Sequence, residues 1–204
     1  MLHKIYENNP STESIERVVR WIEEGKVIIF PTGIGYAFGC SALKQKAIEE
    51  VCHFKGIDPR KNTLAVMCKD IAQATRYACV NDEVFSLLKK RVYEPATYIL
   101  PTKGIFPGII KNRKEVGIRI CSHPLTQYFL EKLEAPLLTG SLPMVMDIEE
   151  DDRGYYVHPE LIDERFGFMV EAVIDGGVAP GGYSAIIDCR GEEPVVVRPY
   201  ELWH

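Results

Sequence analysis

An apolar run, Val27-Ile28-Ile29-Phe30, passes directly into Pro31-Thr32-Gly33-Ile34-Gly35-Tyr36-Ala37-Phe38-Gly39-Cys40, and this junction constrains the chain more than any other stretch. Proline has no amide proton for a ladder, so the pattern predicts a strand over 27–30 that ends at Pro31. Gly33, Gly35 and Gly39 then allow positive φ or close approach of the backbone to a ligand. Strand ends that dissolve into such loops are where ligands bind; a glycine-rich turn around a buried tyrosine is the plain structural alternative. The spacing G-x-G-x-x-x-G differs from the dinucleotide fingerprint, and no Gly-Lys-Ser/Thr follows to form a phosphate-binding loop.

Around this junction the pattern alternates between strand and helix, which predicts an α/β fold with a large mixed sheet. Ser11 and Thr12 cap a helix whose Ile15, Val18, Val19 and Ile22 share one face, with Gly25 as its stop. A second helix over about 43–54 buries Ala47, Ile48, Val51 and Cys52 and ends at Lys55-Gly56. Further strands are expected at 64–68, 96–100, 116–121, 137–139, 169–174, 185–189 and 194–198, with helices near 70–79, 82–91, 124–133 and 159–165. With 204 residues, 46% of them hydrophobic, and no repeat or linker, one domain over 1–204 with a sizeable core is expected.

The net charge of -5 argues against a protein that coats nucleic acid, yet Lys44, Lys46, Lys55, Arg60 and Lys61 could form a local positive wall suited to an anionic ligand. No window approaches eighteen uncharged apolar residues, and the N-terminus has no signal-peptide core, so a cytoplasmic protein with no membrane partner is expected. The six cysteines fall singly with no C-x-x-C spacing, which favours buried free thiols over zinc or disulfides.

Several polar residues stand at strand edges, where side chains converge on a crevice. Thr32 follows the first strand, Lys55 the second helix, Ser141 the run Pro136-Leu137-Leu138-Thr139-Gly140, and Ser184 precedes Ala185-Ile186-Ile187-Asp188. Arg119, inside the apolar strand Val116-Gly117-Ile118-Arg119-Ile120, is the most telling, because a guanidinium there needs either an internal carboxylate or an anionic ligand.

Taken in order, Pro31-Thr32-x-x-x-Tyr36-x-x-Gly39-Cys40, Lys55-Gly56, Gly117-Ile118-Arg119, Thr139-x-Ser141, Ser184-x-x-x-Asp188 and Val197-Arg198-Pro199 resemble the YrdC-like family of threonylcarbamoyl-adenylate synthases over nearly the whole chain. The resemblance implies a twisted, open, mixed sheet flanked by helices, with a concave, positively lined cavity. It also implies a chemistry in which the carbamate of threonine, formed with bicarbonate, attacks the α-phosphorus of ATP and expels pyrophosphate, for use in tRNA modification. By this resemblance Thr32, Arg119 and Ser184 hold threonine, Lys55 is the catalytic lysine that neutralises phosphate charge, Ser141, Thr139 and Arg198 hold the nucleotide, and Tyr36 lines the pocket. ATP and Mg²⁺ are the implied cofactors, and tRNA a secondary partner. For each residue a plainer role exists: Thr32 and Ser184 as turn caps, Lys55 as a solvated helix end, Arg198 as a surface strand charge.

The departures from the pattern fall on the chemistry. The usual Lys-x-Arg reads Lys55-Gly56-Ile57, which leaves Arg60 or Lys61 as the substitutes at hand; the usual Ser-x-Asn reads Ser141-Leu142-Pro143; and a threonine is replaced by Glu115, which would bring negative charge towards the nucleotide. Losing a guanidinium removes up to five donors, each charge-assisted bond being worth roughly 1.5–3 kcal/mol, so synthase activity should be weak or absent. These losses, and the form Gly35-Tyr36-Ala37-Phe38-Gly39-Cys40, look closer to the YciO-like branch. Because the sequence runs to His204, shortly after Arg198-Pro199, a single-domain form without the additional C-terminal domain of longer synthases is expected. Two classes of function follow: an enzyme that makes or hydrolyses threonylcarbamoyl-adenylate, or a non-catalytic protein that binds nucleotide or RNA in the same cavity.

Overall fold

The computed structural model describes residues 1–6, 8–58, 64–91, 94–108, 111, 113–143 and 150–203. Among these described residues, twelve strands and seven α-helices run in the order β1 (Leu2–Lys4), α1 (Thr12–Glu23), β2 (Ile28–Pro31), β3 (Tyr36–Ser41), α2 (Gln45–Phe54), β4 (Ala65–Cys68), α3 (Ile71–Tyr77), α4 (Asp82–Lys90), β5 (Ala96–Pro101), β6 (Glu115–Ile120), α5 (Pro124–Lys132), β7 (Leu137–Ser141), α6 (Gly154–Val157), α7 (Pro159–Phe166), β8 (Ala172–Asp175), β9 (Gly182–Tyr183), β10 (Ala185–Asp188), β11 (Val195–Arg198) and β12 (Glu201–Leu202). Ten strands form one mixed sheet in the order β1-β8-β2-β3-β7-β4-β6-β5-β10-β11, and β9 and β12 form a separate antiparallel pair. Among the described residues no helix is long and apolar enough to cross a membrane.

Helix boundaries follow side-chain chemistry. Ser11 accepts a bond from the Ser14 amide at the start of α1, Asp70 from Gln73 at α3, and Asn81 from Val84 at α4, each satisfying a first-turn amide that the helix cannot. The stripe Ile15, Val18, Val19 and Ile22 is buried, and each such side chain contributes about 1.5–3 kcal/mol on leaving water.

Alternation along the strands divides the core in two. Ile29, Phe38, Val66 and Leu138 point to the layer containing α2, α3, α4 and α7, while Ile28, Phe30, Met67 and Leu137 point to the layer of α1 and α5. Phe30 meets Phe129 edge to face at 5.9 Å in the second layer. The second layer stops short of the β5, β6 and β10 end of the sheet. There the inward positions Ala96, Tyr98 and Leu100 are buried, and the alternate positions Thr97, Ile99 and Ile186 are only half-buried. Among the described residues no helix packs on that part of the face, and the candidate site lies there.

Several sequence expectations are corrected. The strand expected over 27–30 does end at Pro31, but one residue later than expected: Pro31 is itself the last residue of β2, opposite Tyr36. It is tolerated because pairing with β8 on its other side stops at Ile29, so no ladder donor is missed. The region 36–41, read as loop, is strand β3. The second helix starts at Gln45, the strand at 137 continues to Ser141, and 169–171 precede β8, with Gly167–Met169 a 3-10 turn. Strands β1, β9 and β12 carried no recognised signal. Five of the six free cysteines are buried, and Cys79 is exposed.

Candidate functional site

The site begins with the β2–β3 hairpin. Its turn closes on Thr32, whose amide and hydroxyl both donate to the Gly35 carbonyl, at 2.6 and 2.8 Å, while the same hydroxyl accepts from the Gly35 amide at 3.2 Å. Thr32 is therefore a turn cap as well as a cavity residue. Gly33, Gly35 and Gly39 do not adopt positive φ. What two of them supply is room: a Cβ on Gly33 would lie 2.2 Å from Ser122 Oγ, and one on Gly39 would lie 2.2 Å from Phe30 Cε1. Close approach at Gly33 lays the turn against the ends of the helix-free strands. Tyr36 is buried, donates its hydroxyl to Gly177 O at 2.7 Å and accepts from the Gly176 amide at 3.2 Å. Burial holds its phenol far above the ordinary range, so it stays neutral.

Between this hairpin and the free face lies a cavity of about 160 Å³, lined by Thr32, Tyr36, Arg119, Ser141, Ser184 and Arg198 among others. Arg119 projects from β6 without a hydrogen bond or ion pair to its side chain among the described residues, so the internal carboxylate that would have served it is not found there. Desolvation, with a smaller contribution from nearby Arg198, lowers its pKa to about 10, the Cys121 thiol acting in the opposite sense. Arg198 is held more firmly: Nε and Nη2 donate to Ser184 O at 3.0 and 2.9 Å, and the guanidinium lies 5.4 Å from the Tyr183 ring. Two guanidiniums thus face one small space.

The aliphatic and aromatic part of the lining was not legible in the sequence. Ile34 and Leu142 supply aliphatic surface, and Tyr156, Tyr183 and Trp203 supply rings. Trp203 meets Tyr183 edge to face at 6.0 Å and Tyr156 at 6.5 Å. It is brought there by β12 pairing with β9, which needs glycine: Gly182 has φ +140°, and a Cβ on it would lie 2.1 Å from Glu201 O. The one local signal for this wall was Gly181-Gly182 before Tyr183.

Lys55 and Thr139 are not among the residues lining the cavity. Thr139 is buried, with its hydroxyl 3.5 Å from Ala65 O. Lys55 is no solvated helix end: its ammonium donates to Ser141 O at 2.6 Å and Ser141 Oγ at 3.3 Å, beside the cavity, and desolvation lowers its pKa. Glu115 pairs with Arg190 and lies 3.8 Å from Arg113, so its charge is compensated instead of being left to face a nucleotide. Ile57 packs against the core, and Pro143 O accepts from Tyr156 Oη at 3.2 Å. Lys44 and Lys46 are exposed and absent from the lining; Arg60 and Lys61 lie outside the described residues. Among the described residues no three His, Cys, Asp or Glu side chains are grouped to hold a metal.

The Sua5/YciO/YrdC family model, described as telomere recombination, matches residues 20–199. The Escherichia coli K12 protein YciO is 32% identical over 197 residues, covering 95% of this chain and 92% of the relative. Its crystal structure superposes with a TM-score of 0.86 at 30% identity, covering 98% of this chain and 95% of the other. A threonylcarbamoyl-AMP synthase of Pyrococcus abyssi is 29% identical over 195 residues, 90% of this chain and 55% of that protein. The crystal structure of P. abyssi Sua5 complexed with L-threonine gives a TM-score of 0.83 at 25% identity, over 98% of this chain and 57% of the other.

Proposed function

Since the chain belongs to the Sua5/YciO/YrdC family, we propose that its cavity binds the carboxylate of L-threonine, or of a threonylcarbamoyl group, on Arg119, and that the protein acts in the threonylcarbamoyladenosine modification of tRNA. The observation that carries this reading is the desolvated Arg119 guanidinium, without an internal carboxylate among the described residues and next to Arg198. A planar guanidinium matches a carboxylate through two parallel bonds, which makes an amino acid the natural occupant. The P. abyssi relative crystallised with L-threonine supports the choice. Size supports it too: a cavity of about 160 Å³ is below the roughly 300–1,000 Å³ of sites for larger ligands.

In this reading Thr32, Ser184 and Tyr36 frame the amino acid, and the aliphatic wall of Ile34 and Leu142 meets its methyl group. The adenylate of ATP or AMP extends past Ser141, with Arg198 on the nucleotide side and Thr139 buried behind the lining instead of touching the nucleotide, and Lys55 meets phosphate charge by leaving Ser141. Magnesium would arrive bound to the triphosphate, since the described residues offer it no carboxylate cluster. Ile57 and Pro143 weaken the hold on a triphosphate, so breakdown of preformed threonylcarbamoyl-adenylate is favoured over its synthesis from ATP, bicarbonate and threonine. Contact with tRNA is secondary at a net charge of -5.

Calorimetry of the protein with threonine and with AMP tests the site. Wild type should bind threonine, and Arg119→Ala should bind it at least about tenfold more weakly. Equal binding by both, or by neither, would remove the assignment. Incubation with ATP, bicarbonate, threonine and Mg²⁺, and separately with threonylcarbamoyl-adenylate, then distinguishes synthesis from hydrolysis. Inertness in both, with binding retained, would favour a non-catalytic nucleotide- or RNA-binding protein.

A further inference from the structure

A second and larger cavity, of about 970 Å³, opens at the carboxyl ends of β4 and β6, and it shares no lining residue with the Arg119 cavity. Its place follows from topology. β4 and β6 are adjacent and parallel, yet α3, which follows β4, packs into one core layer and α5, which follows β6, into the other. The two chains therefore part to opposite faces of the sheet and leave a crevice between them. Such a switch point is where open α/β sheets bind small molecules, because loops and helix starts converge there on space that no side chain from the sheet fills.

The lining indicates what would fit. Ile71, Ala72 and Pro124 give apolar surface, and Phe85, 45% exposed, stands at the rim with its ring available for stacking. The polar groups lean towards an anion. Lys69 has no side-chain hydrogen bond or ion pair among the described residues, whereas Asp70, the carboxylate among the described lining residues, keeps its charge but is held in the α3 cap by the Gln73 amide at 2.6 Å. Ser122 adds a hydroxyl, and the nine-residue α5 opens onto the crevice with no side-chain cap, which leaves the positive end of its dipole uncompensated. A flat apolar body and one anionic group are what these surfaces together accommodate.

We infer that the crevice between α3 and α5 is a second small-molecule site, for a ligand that carries a single anionic group on a planar, largely apolar body. Aryl carboxylates match this chemistry outright, and mononucleotides share its anionic group and flat ring face on a more polar body. The site is independent of the threonine reading, and its failure would leave that reading untouched.

The probe is 8-anilinonaphthalene-1-sulfonate, an anion on a flat aromatic body, titrated by fluorescence into the folded protein and mapped by amide chemical shifts. One saturable site is expected, with shifts concentrated at 69–72 and 122–127. Lys69→Glu should weaken binding about five- to tenfold, and Ala72→Trp, which fills the crevice from an exposed helix position, should abolish it. Arg119→Ala should leave it unchanged. Circular dichroism confirms that each variant is folded. Absence of saturable binding, equal affinity in Lys69→Glu and Ala72→Trp, or shifts centred on the Arg119 cavity would overturn the inference. Displacement by AMP but not salicylate identifies a nucleotide site, the reverse identifies an aryl-acid site, and displacement by neither would overturn the ligand class.

Discussion

Replacing Arg119 with methionine tests the cavity from both sides, since the same guanidinium that should capture a carboxylate is an electrostatic load without one. Its pKa sits at about 10 instead of the ordinary 12.5, and each tenfold displacement corresponds to about 1.4 kcal/mol, so the charge costs the unliganded fold about 3 kcal/mol at most. Access of water through the cavity mouth, and the space that methionine leaves unfilled, reduce the net gain to about 1–2 kcal/mol. The sign is fixed: the folded value lies below the unfolded one, so the cost is fully present at neutral pH and is relieved only as pH rises past the folded value. Arg119→Met should therefore melt about 2–8 °C higher than wild type across pH 6 to 9, given a shift of roughly 2–4 °C per kcal/mol for a chain of this size. Threonine at one hundred times its dissociation constant should add about 2.7 kcal/mol to the wild type and nothing to the variant. Thermal unfolding followed by circular dichroism, with and without threonine, reads both effects. A variant less stable than wild type by 1 kcal/mol or more would refute the reasoning, because it would mean that the guanidinium already has an internal partner.

Gly39→Ala should cost about 1–3 kcal/mol in urea unfolding, since its Cβ would meet Phe30 inside a packed core; the addition of Phe30→Leu should recover part of the loss, and no recovery would argue against that clash. Lys55 is held below the ordinary lysine value by desolvation, so the native state sheds its proton first as pH rises. Wild type should accordingly gain stability relative to Lys55→Met in the alkaline range just below that ordinary value, and parallel pH profiles would contradict this. Restoring both altered motif positions with Ile57→Arg and Pro143→Asn should raise threonine- and bicarbonate-dependent pyrophosphate release from ATP by about tenfold or more, and unchanged release would show that those positions do not limit the chemistry.

The sequence by itself determined six of the seven described helices, α6 carrying no recognised signal, and the order of most strands, because apolar spacing records burial and capping residues record where amides go unsatisfied. It also singled out Arg119, as a charge in an apolar strand stands out in any context. Four of the features that escaped it were set by partners in other elements of the fold. β3 read as loop because its glycine exists to admit Phe30 from the neighbouring strand, which spacing does not reveal. Lys55, given a phosphate role only by resemblance, had no visible partner until β7 brought Ser141 to it, and Glu115 read as a hostile charge until Arg190 compensated it. The aromatic wall depends on a two-residue pairing between β9 and β12 that carries Trp203 to the cavity. Only the tertiary structure could decide these, because local patterning fixes which face of an element is buried, while the neighbours that face it are chosen by how the whole sheet twists and packs.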